Sequence, residues 1–253
     1  MLRIDVISVQ PQMFAGFLTE SIVARAVKKG ACAVNLVDLR EFGEGRWRKV
    51  DDKPYGGGPG MLMKCGPWFA AVGQCVGADA DEPLTAETIR ARGVRTILTD
   101  PKGRTFSQRD AAAFAAQDGS AASHLVFMCG HYEGFDARIE TLATDRYSLG
   151  DFVLTGGELA AAAMTDSIVR LLPGVLGGGP AATASESFGA DGLLECPQYT
   201  HPPVFRGLAV PEVLLSGDHR RIEAWRKSEA RRLTERARPD LSSVCEGVSS
   251  GKR

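Results

Sequence analysis

Phe127 to Leu159 reads FMCGHYEGFDARIETLATDRYSLGDFVLTGGEL, and two glycine-bearing loops divide it. The first is Cys129-Gly130-His131-Tyr132-Glu133-Gly134. The second runs Ser148-Leu149-Gly150-Asp151-Phe152-Val153-Leu154-Thr155-Gly156-Gly157. Each follows or contains an apolar run of the length a buried strand needs. Glycine at a strand end lets backbone approach a ligand, and neighbouring acids suit a cationic or hydroxyl-rich one. The same residues also read as two tight turns with ordinary glycines.

Outward from this stretch, short apolar runs alternate with helical spacing. Leu125 to Met128 is the strand leading into the first loop, and Glu158 to Leu172 continues the second as a helix with a small-residue face. Toward the N-terminus, Leu2, Ile4, Ile7 and Val9 mark a buried strand that Pro11 ends. Met13 to Val27 has helical spacing and stops at Lys28-Lys29-Gly30, and Val34 to Leu39 is a second strand. Strand, helix, strand in that order implies parallel pairing and an α/β class. Met63 to Val76 predicts an amphipathic helix and 77–92 a surface connection. Thr96 to Thr99 is a buried strand ending in Asp100-Pro101-Lys102-Gly103, and Phe106 to Gln117 an alanine-rich helix.

Composition narrows the class without naming a function. The 253 residues carry 44% apolar and 24% charged side chains, as an ordinary globular protein does. The formal net charge of -1 does not announce a nucleic-acid binder, so any RNA surface must come from local segregation of charge. No run approaches the roughly 20 apolar residues of a membrane span, and MLRIDVISV reads as a strand, not a signal peptide. Six cysteines without a Cys-x-x-Cys pair argue against a zinc ribbon or disulfide framework and favour the reducing cytoplasm. Cys129 and His131 on one loop do not make a metal site, and dependence on a divalent ion such as Mg2+ stays open.

Three further segments stand out. Arg46 to Met61 joins a basic cluster, two acids and a loop too rich in Gly and Pro for helix or strand. Its glycine spacing matches neither the dinucleotide fingerprint nor the P-loop, which disfavours a dinucleotide oxidoreductase. Pro173 to Ser185, without a charge, reads as a linker. From Asp218 to Arg238 eight basic side chains stand against four acidic ones, while Ile222, Trp225 and Leu233 share a helical stripe. One face therefore packs and a basic face points outward, as phosphate contact requires. A merely solvated basic face is the alternative. Pro239 ends this helix, and 242–253 reads as frayed.

These segments resemble the bacterial tRNA (guanine-37-N1)-methyltransferases, knotted methyltransferases of the SPOUT superfamily. The family's two loops read Cys-Gly-Arg-Tyr-Glu-Gly and Ser-Ile-Gly-Asp-Tyr-Val-Leu-Thr-Gly-Gly-Glu-Leu. This chain has His131 for the Arg, Leu149 for the Ile and Phe152 for the Tyr. Val50-Asp51-Asp52-Lys53-Pro54-Tyr55-Gly56-Gly57-Gly58-Pro59-Gly60-Met61 matches a further family hallmark, and the resemblance covers nearly all of residues 1–240. It implies an α/β fold whose parallel sheet carries a trefoil knot in the C-terminal part of the N-terminal domain, plus a small, mainly helical C-terminal domain. The division drawn is 1–176 for the S-adenosylmethionine-binding domain, 177–187 for a flexible linker and 188–253 for the tRNA-binding domain.

The implied reaction moves a methyl group from S-adenosyl-L-methionine to N1 of guanine 37 of tRNA, in support of reading-frame maintenance. The implied protein is a cytoplasmic homodimer with the active site at the subunit interface, binding neither membrane nor DNA. The resemblance puts the catalytic acid at Glu186, where the family has Asp, with Arg170 as the cation. Asp191, which also follows the linker, is the alternative base. It places the cofactor on Leu98 and Thr99, on Gly130, Tyr132, Glu133 and Gly134, and on Ser148, Leu149, Gly150, Asp151, Phe152, Val153, Leu154, Gly156 and Gly157. RNA contact falls to Arg48, Asp52, Tyr55, Gly57 and Gly58, and to Arg220, Arg226 and Lys227 on the basic helix. Asp100 stands for the family's Ser and Ala160 for its Pro. Two rival readings remain: a knotted methyltransferase for another RNA position, such as a ribose 2′-hydroxyl, and an RNA-binding module that has lost catalysis.

Overall fold

A computed structural model of the chain describes residues 1–79, 82–116, 122–177, 183, 186–189 and 191–241. They fall into two compact units, Met1–Gly177 and Gly178–Arg253. Most of the predicted linker, 177–187, and all of 242–253 lie outside the described residues.

The first unit is an α/β sandwich around a parallel sheet. Its strands are β1 (Leu2–Ser8), β2 (Cys32–Asp38), β5 (Val94–Thr105), β6 (His124–Cys129) and β7 (Asp145–Ser148), in the spatial order β2-β1-β6-β5-β7. Two-residue strands β3 (Asp51–Asp52) and β4 (Leu62–Met63) pair antiparallel outside it. The helices are α1 (Ala15–Thr19), α2 (Ser21–Lys28), α3 (Cys65–Val76), α4 (Ala86–Ala91), α5 (Gln108–Ala115) and α6 (Glu158–Val169). Side chains alternate along β6 as a strand's period of two requires. Leu125, Phe127 and Cys129 join the core beneath α2, α5 and α6, while Val126 and Met128 join the one formed with α3 and α4. Both faces of the sheet are thus covered, which explains strands that read as continuous apolar runs.

Three sequence expectations need correction. The surface connection of 77–92 contains α4, set by reciprocal hydrogen bonds between Thr85 and Thr88 at its start. The helix expected over Met13 to Val27 is broken: a 3-10 turn at Pro11–Phe14 and α1 precede α2, and Ser21 at the start of α2 has φ +61°. The strand expected to end at Thr99 runs on to Thr105. It leaves its partner β7 after Thr99 and rejoins it at Arg104, so residues 100–103 bulge out of the sheet.

The side chain of Asp5 is buried at the centre of β1. Arg3 Nη2 and Asn35 Nδ2 donate to it at 2.7 and 2.8 Å, and His124 Nε2 lies 2.8 Å away. Burial alone pushes this carboxyl up, but the hydrogen bonds from His124, Asn35 and Arg3 outweigh it and hold it below its ordinary value. A carboxyl held lower in the folded chain favours folding fully above the unfolded value, near ~3.9, and loses that contribution as pH falls through the folded one. Asp5→Asn is therefore expected to weaken the fold by about 1.5–3 kcal/mol at neutral pH, the worth of hydrogen bonds to a charge. The deficit should begin to shrink at about pH 4, where Asp5 of the unfolded wild type takes up its proton, and vanish once pH has fallen below the lower folded value. Urea unfolding of both proteins between pH 3 and 7 checks this.

The second unit is smaller. A hairpin of β8 (Val204–Phe205) and β9 (Leu208–Ala209) is followed by α7 (Glu212–Leu215) and α8 (His219–Ala237). Asp218 caps α8 by accepting from the backbone of Arg220 and Arg221, and Pro239 follows its end. Thr234 anchors the helix, its Oγ1 accepting the Leu194 N–H at 2.9 Å. Among the described residues no helix is long and apolar enough to cross a membrane.

Candidate active site

The carboxyl ends of β6 and β7, with the bulge of β5 between Thr99 and Arg104, open onto one cavity of about 440 Å3. That is the size of a small-molecule site, and strand carboxyl ends are where open α/β sheets place them. The two loops of the 127–159 stretch form most of the wall. Gly130, Tyr132, Glu133 and Gly134 line one side; Ser148, Leu149, Phe152, Val153, Leu154, Gly156 and Gly157 line the other. Backbone hydrogen bonds lock the loops together. Gly157 N–H donates to Gly130 O at 2.8 Å, and His131 and Gly156 form an antiparallel bridge.

The fit between the loops depends on Gly157. A Cβ there would lie 1.9 Å from Thr99 Oγ1, 2.9 Å from Cys129 Cα and 3.0 Å from Gly130 N. Thr99 lines the cavity and donates its hydroxyl to Met128 O at 3.1 Å. Leu98 does not line it; its side chain is fully buried in the core on the α3 side, leaving only backbone for a ligand. Gly150 and Asp151 also fall outside the lining, although Gly150 shapes the loop through Ser148, whose Oγ bonds both its N–H and its carbonyl.

Several lining residues escaped the sequence reading. Leu62, Phe135, Tyr147, Thr155 and Ala160 contribute, as does the bulge with Asp100, Pro101 and Lys102. The bulge was visible as a Gly- and Pro-bearing strand end; Phe135, Tyr147, Thr155 and Ala160 stand within or beside the 127–159 stretch, and Leu62 comes from a distant segment with no local mark. Two buried polar atoms at the cavity have no hydrogen-bond partner, Asp100 Oδ2 and His131 Nδ1. The His131 ring meets Tyr132 edge-on, with centroids 4.9 Å apart. Cys129 is not a nucleophile here, because full burial, with the Glu158 carboxylate nearby, pushes its thiol well up. Glu158 itself is buried and accepts the Ser8 hydroxyl at 2.6 Å, tying α6 to the end of β1.

The Gly-Pro loop closes over Glu133. Met61 O accepts the Glu133 N–H at 3.1 Å, and Met63 N–H donates to Gly134 O at 2.9 Å. Gly60 has φ +75°, and a Cβ there would lie 2.2 Å from Glu133 Cγ. Gly60→Ala is thus both strained and obstructed, and it should displace Glu133 from the cavity wall. The resemblance puts Glu133 on S-adenosylmethionine, and on that reading affinity for S-adenosylhomocysteine is expected to fall by roughly 10-fold or more, the loss of one hydrogen bond to a charged group; calorimetric titration checks it.

A family model described as tRNA (Guanine-1)-methyltransferase TrmD matches residues 2–244 of the chain. The chain belongs to this family. Among curated relatives, a tRNA (guanine-N(1)-)-methyltransferase of Levilactobacillus brevis is 49% identical over 243 residues, 95% of this chain and 89% of the relative. One of the same name from Geobacillus kaustophilus is 48% identical, covering 95% and 91%. Another, from Anoxybacillus flavithermus, is 46% identical over 253 residues, covering 100% and 96%.

The tRNA (guanine-1)-methyltransferase family membership directs attention to the acids and cations outside the cavity. Arg170 caps the C-terminal end of α6. Glu186 and Asp191 lie on one turn of the second unit, closed by Gly189 N–H to Glu186 O at 3.1 Å and Phe188 N–H to Leu193 O at 2.8 Å. Asp191 is exposed and accepts the Leu193 N–H at 3.4 Å. In the first unit Arg48, Asp52, Tyr55, Gly57 and Gly58 are all exposed, Tyr55 completely, so this loop is available to a macromolecule. In the second unit Arg220, Arg226 and Lys227 are exposed on α8, and Lys227 pairs with Glu223 at 2.7 Å. Among the described residues no group of three or more His, Cys, Asp or Glu side chains could hold a metal ion.

Proposed function

We propose that the chain transfers the methyl group of S-adenosyl-L-methionine to N1 of guanine 37 in tRNA, next to the anticodon. The reading rests on one observation. The two glycine loops close a single cavity at the strand carboxyl ends in a chain whose relatives are tRNA (guanine-N(1)-)-methyltransferases. The residues fit the cofactor. Leu149, Phe152, Leu154 and Ala160 offer apolar wall for a purine, and the loop backbones offer amides and carbonyls for its edge. Glu133 supplies a carboxylate for the amino end of the methionine. When bound, S-adenosylmethionine supplies a methyl activated by its sulfonium.

The rest of the chemistry falls to the chain. Guanine N1 carries a proton at neutral pH, so N1 becomes a nucleophile only as that proton leaves. Glu186 takes it, a carboxylate one methylene longer than the family's Asp. Arg170 stabilises the negative charge that builds on O6. With the cofactor held in the cavity, its methyl would pass from sulfur to N1 as Glu186 takes the proton, and the products would be S-adenosylhomocysteine, the methylated base and a protonated acid. The Arg48–Gly60 loop receives the guanine region, and the basic face of α8 holds phosphates. The apolar Phe152, Val153 and Leu159, exposed in a single chain, support a homodimer with the active site at the subunit interface. We place the superfamily's knot in the later part of the first unit, the tRNA-binding function in the second and the protein in the cytoplasm.

Labelled methyl transfer to tRNA transcripts with guanine or adenine at position 37 tests the reading. Transfer is expected with guanine alone; equal transfer to both would point to another RNA position.

A further inference from the structure

Asp100 is a buried acid of the cavity wall that the proposed chemistry leaves without work. It is 6% exposed, lines the cavity and lies on the bulge where β5 leaves β7. Its Oδ1 accepts the Lys102 N–H at 3.1 Å, whereas Oδ2 is buried without a hydrogen bond. A buried acceptor left unmatched is costly, and a ligand that supplies the donor recovers that cost on binding.

The surrounding charges indicate which donor fits. Arg146 Nε lies 3.5 Å from Asp100 Oδ2, and the Arg146 guanidinium also pairs with Glu140. Lys102 Nζ lies 3.6 Å from Glu140. Two acids and two bases balance in this cluster, so Asp100 presents no net field to draw in a cation. What it does present is a fixed acceptor for a neutral donor. Of the neutral donors on an adenosyl ligand, the purine amino group belongs with the apolar wall of 149–154 and its open backbone. The polar wall of 99–102 is left for the sugar.

We propose that Asp100 is a specificity residue whose Oδ2 accepts a hydrogen bond from a ribose hydroxyl of the bound adenosyl cofactor. This rests on the reading of the cavity as an S-adenosylmethionine site. An acid that accepts from ribose hydroxyls at the end of a parallel strand also serves dinucleotide folds, so the chemistry suits this place. The role is to distinguish a ribonucleoside from its deoxy counterpart.

The test is calorimetric binding of S-adenosylhomocysteine and its 2′-deoxy and 3′-deoxy analogues to the wild type, Asp100→Ala and Asp100→Asn. The wild type is expected to bind one deoxy analogue roughly 10- to 100-fold more weakly than the parent, as loss of a hydrogen bond to a charged acceptor implies. Asp100→Ala should bind the parent weakly by a similar factor and cease to distinguish the two. Asp100→Asn, which keeps the shape and so covers failure of the alanine variant to fold, should discriminate less than the wild type. Discrimination as large in the variants as in the wild type, or none in the wild type, would overturn the inference and leave the cofactor reading standing. A wild type that binds no S-adenosylhomocysteine would overturn both.

Discussion

Glu186→Gln is expected to slow methyl transfer by about 10²–10⁴-fold, the usual worth of a general base, while cofactor affinity stays within about twofold. Gln matches Glu in length and shape, so the substitution removes the proton acceptor and little else. The main chain at Glu186 also closes the turn to Gly189, which Gln can do equally well. Asp191→Asn is the companion variant, because Asp191 shares that turn and is exposed at its far side. It should retain nearly full single-turnover activity. The reverse pattern, loss in Asp191→Asn alone, would keep the reaction and reassign its base. Single-turnover rates with saturating cofactor and tRNA separate the two, since they report chemistry without product release.

Gly157→Ala should damage both the fold of the first unit and its cavity. Gly157 has φ −81°, which any residue adopts, so the cost is one of space alone. The added Cβ would fall on Thr99 Oγ1 and, within 3.0 Å, on backbone atoms of Cys129 and Gly130. Backbone at the end of a central strand cannot yield as a side-chain tip can. Gly156 makes the contrast: the nearest atoms its Cβ would meet are side-chain atoms of Glu158 and His131, not backbone. Gly157→Ala is expected to destabilise the fold by about 1–3 kcal/mol or more. At about 2–4 °C per kcal/mol for a domain of this size, the melting temperature falls visibly. Cofactor binding should be lost with it, because the displaced segments are the cavity walls. Adding Thr99→Ala removes the nearest obstacle and should recover only part of the stability, since the backbone contacts remain. Thermal unfolding with and without S-adenosylhomocysteine checks both statements.

Four strands of the sheet were legible because they carry apolar runs, and runs such as Leu125 to Met128 have no other use in a chain of this composition; β7, whose residues read Asp-Arg-Tyr-Ser, was not. Parallel pairing of β1 and β2 followed from the helical spacing between them. Helix α4 was not legible, because six residues are too few to show a period and its start rests on a side-chain exchange between Thr85 and Thr88. The continuation of β5 past Pro101 was hidden for another reason. A Pro and a Gly read locally as a stop, while the strand resumes only because β7 lies beside it. The hairpin of Val204 to Ala209 leaves its residues exposed and so carries no alternation.

In the site, the two glycine loops were marked by composition, and family resemblance supplied their purpose. The unmatched Asp100 Oδ2 and the packing of Gly157 on Thr99 were invisible, because both depend on segments brought together from across the sheet. The hydrogen bond from Ser8 to Glu158, 150 residues apart, is of the same kind. A lone acid in a helix start reads as a solvated side chain until the fold buries it.

The measurement that bears most directly on the proposed reaction is the identity of the methylated nucleoside. A tRNA transcript with guanine 37 would be incubated with the full chain and S-adenosylmethionine, digested to nucleosides and analysed by mass spectrometry, with fragment mapping to locate the modification. The expected product is 1-methylguanosine at position 37 and nowhere else. A 2′-O-methylated nucleoside, a methyl group at another position, or an unmodified transcript in the presence of bound cofactor would contradict it.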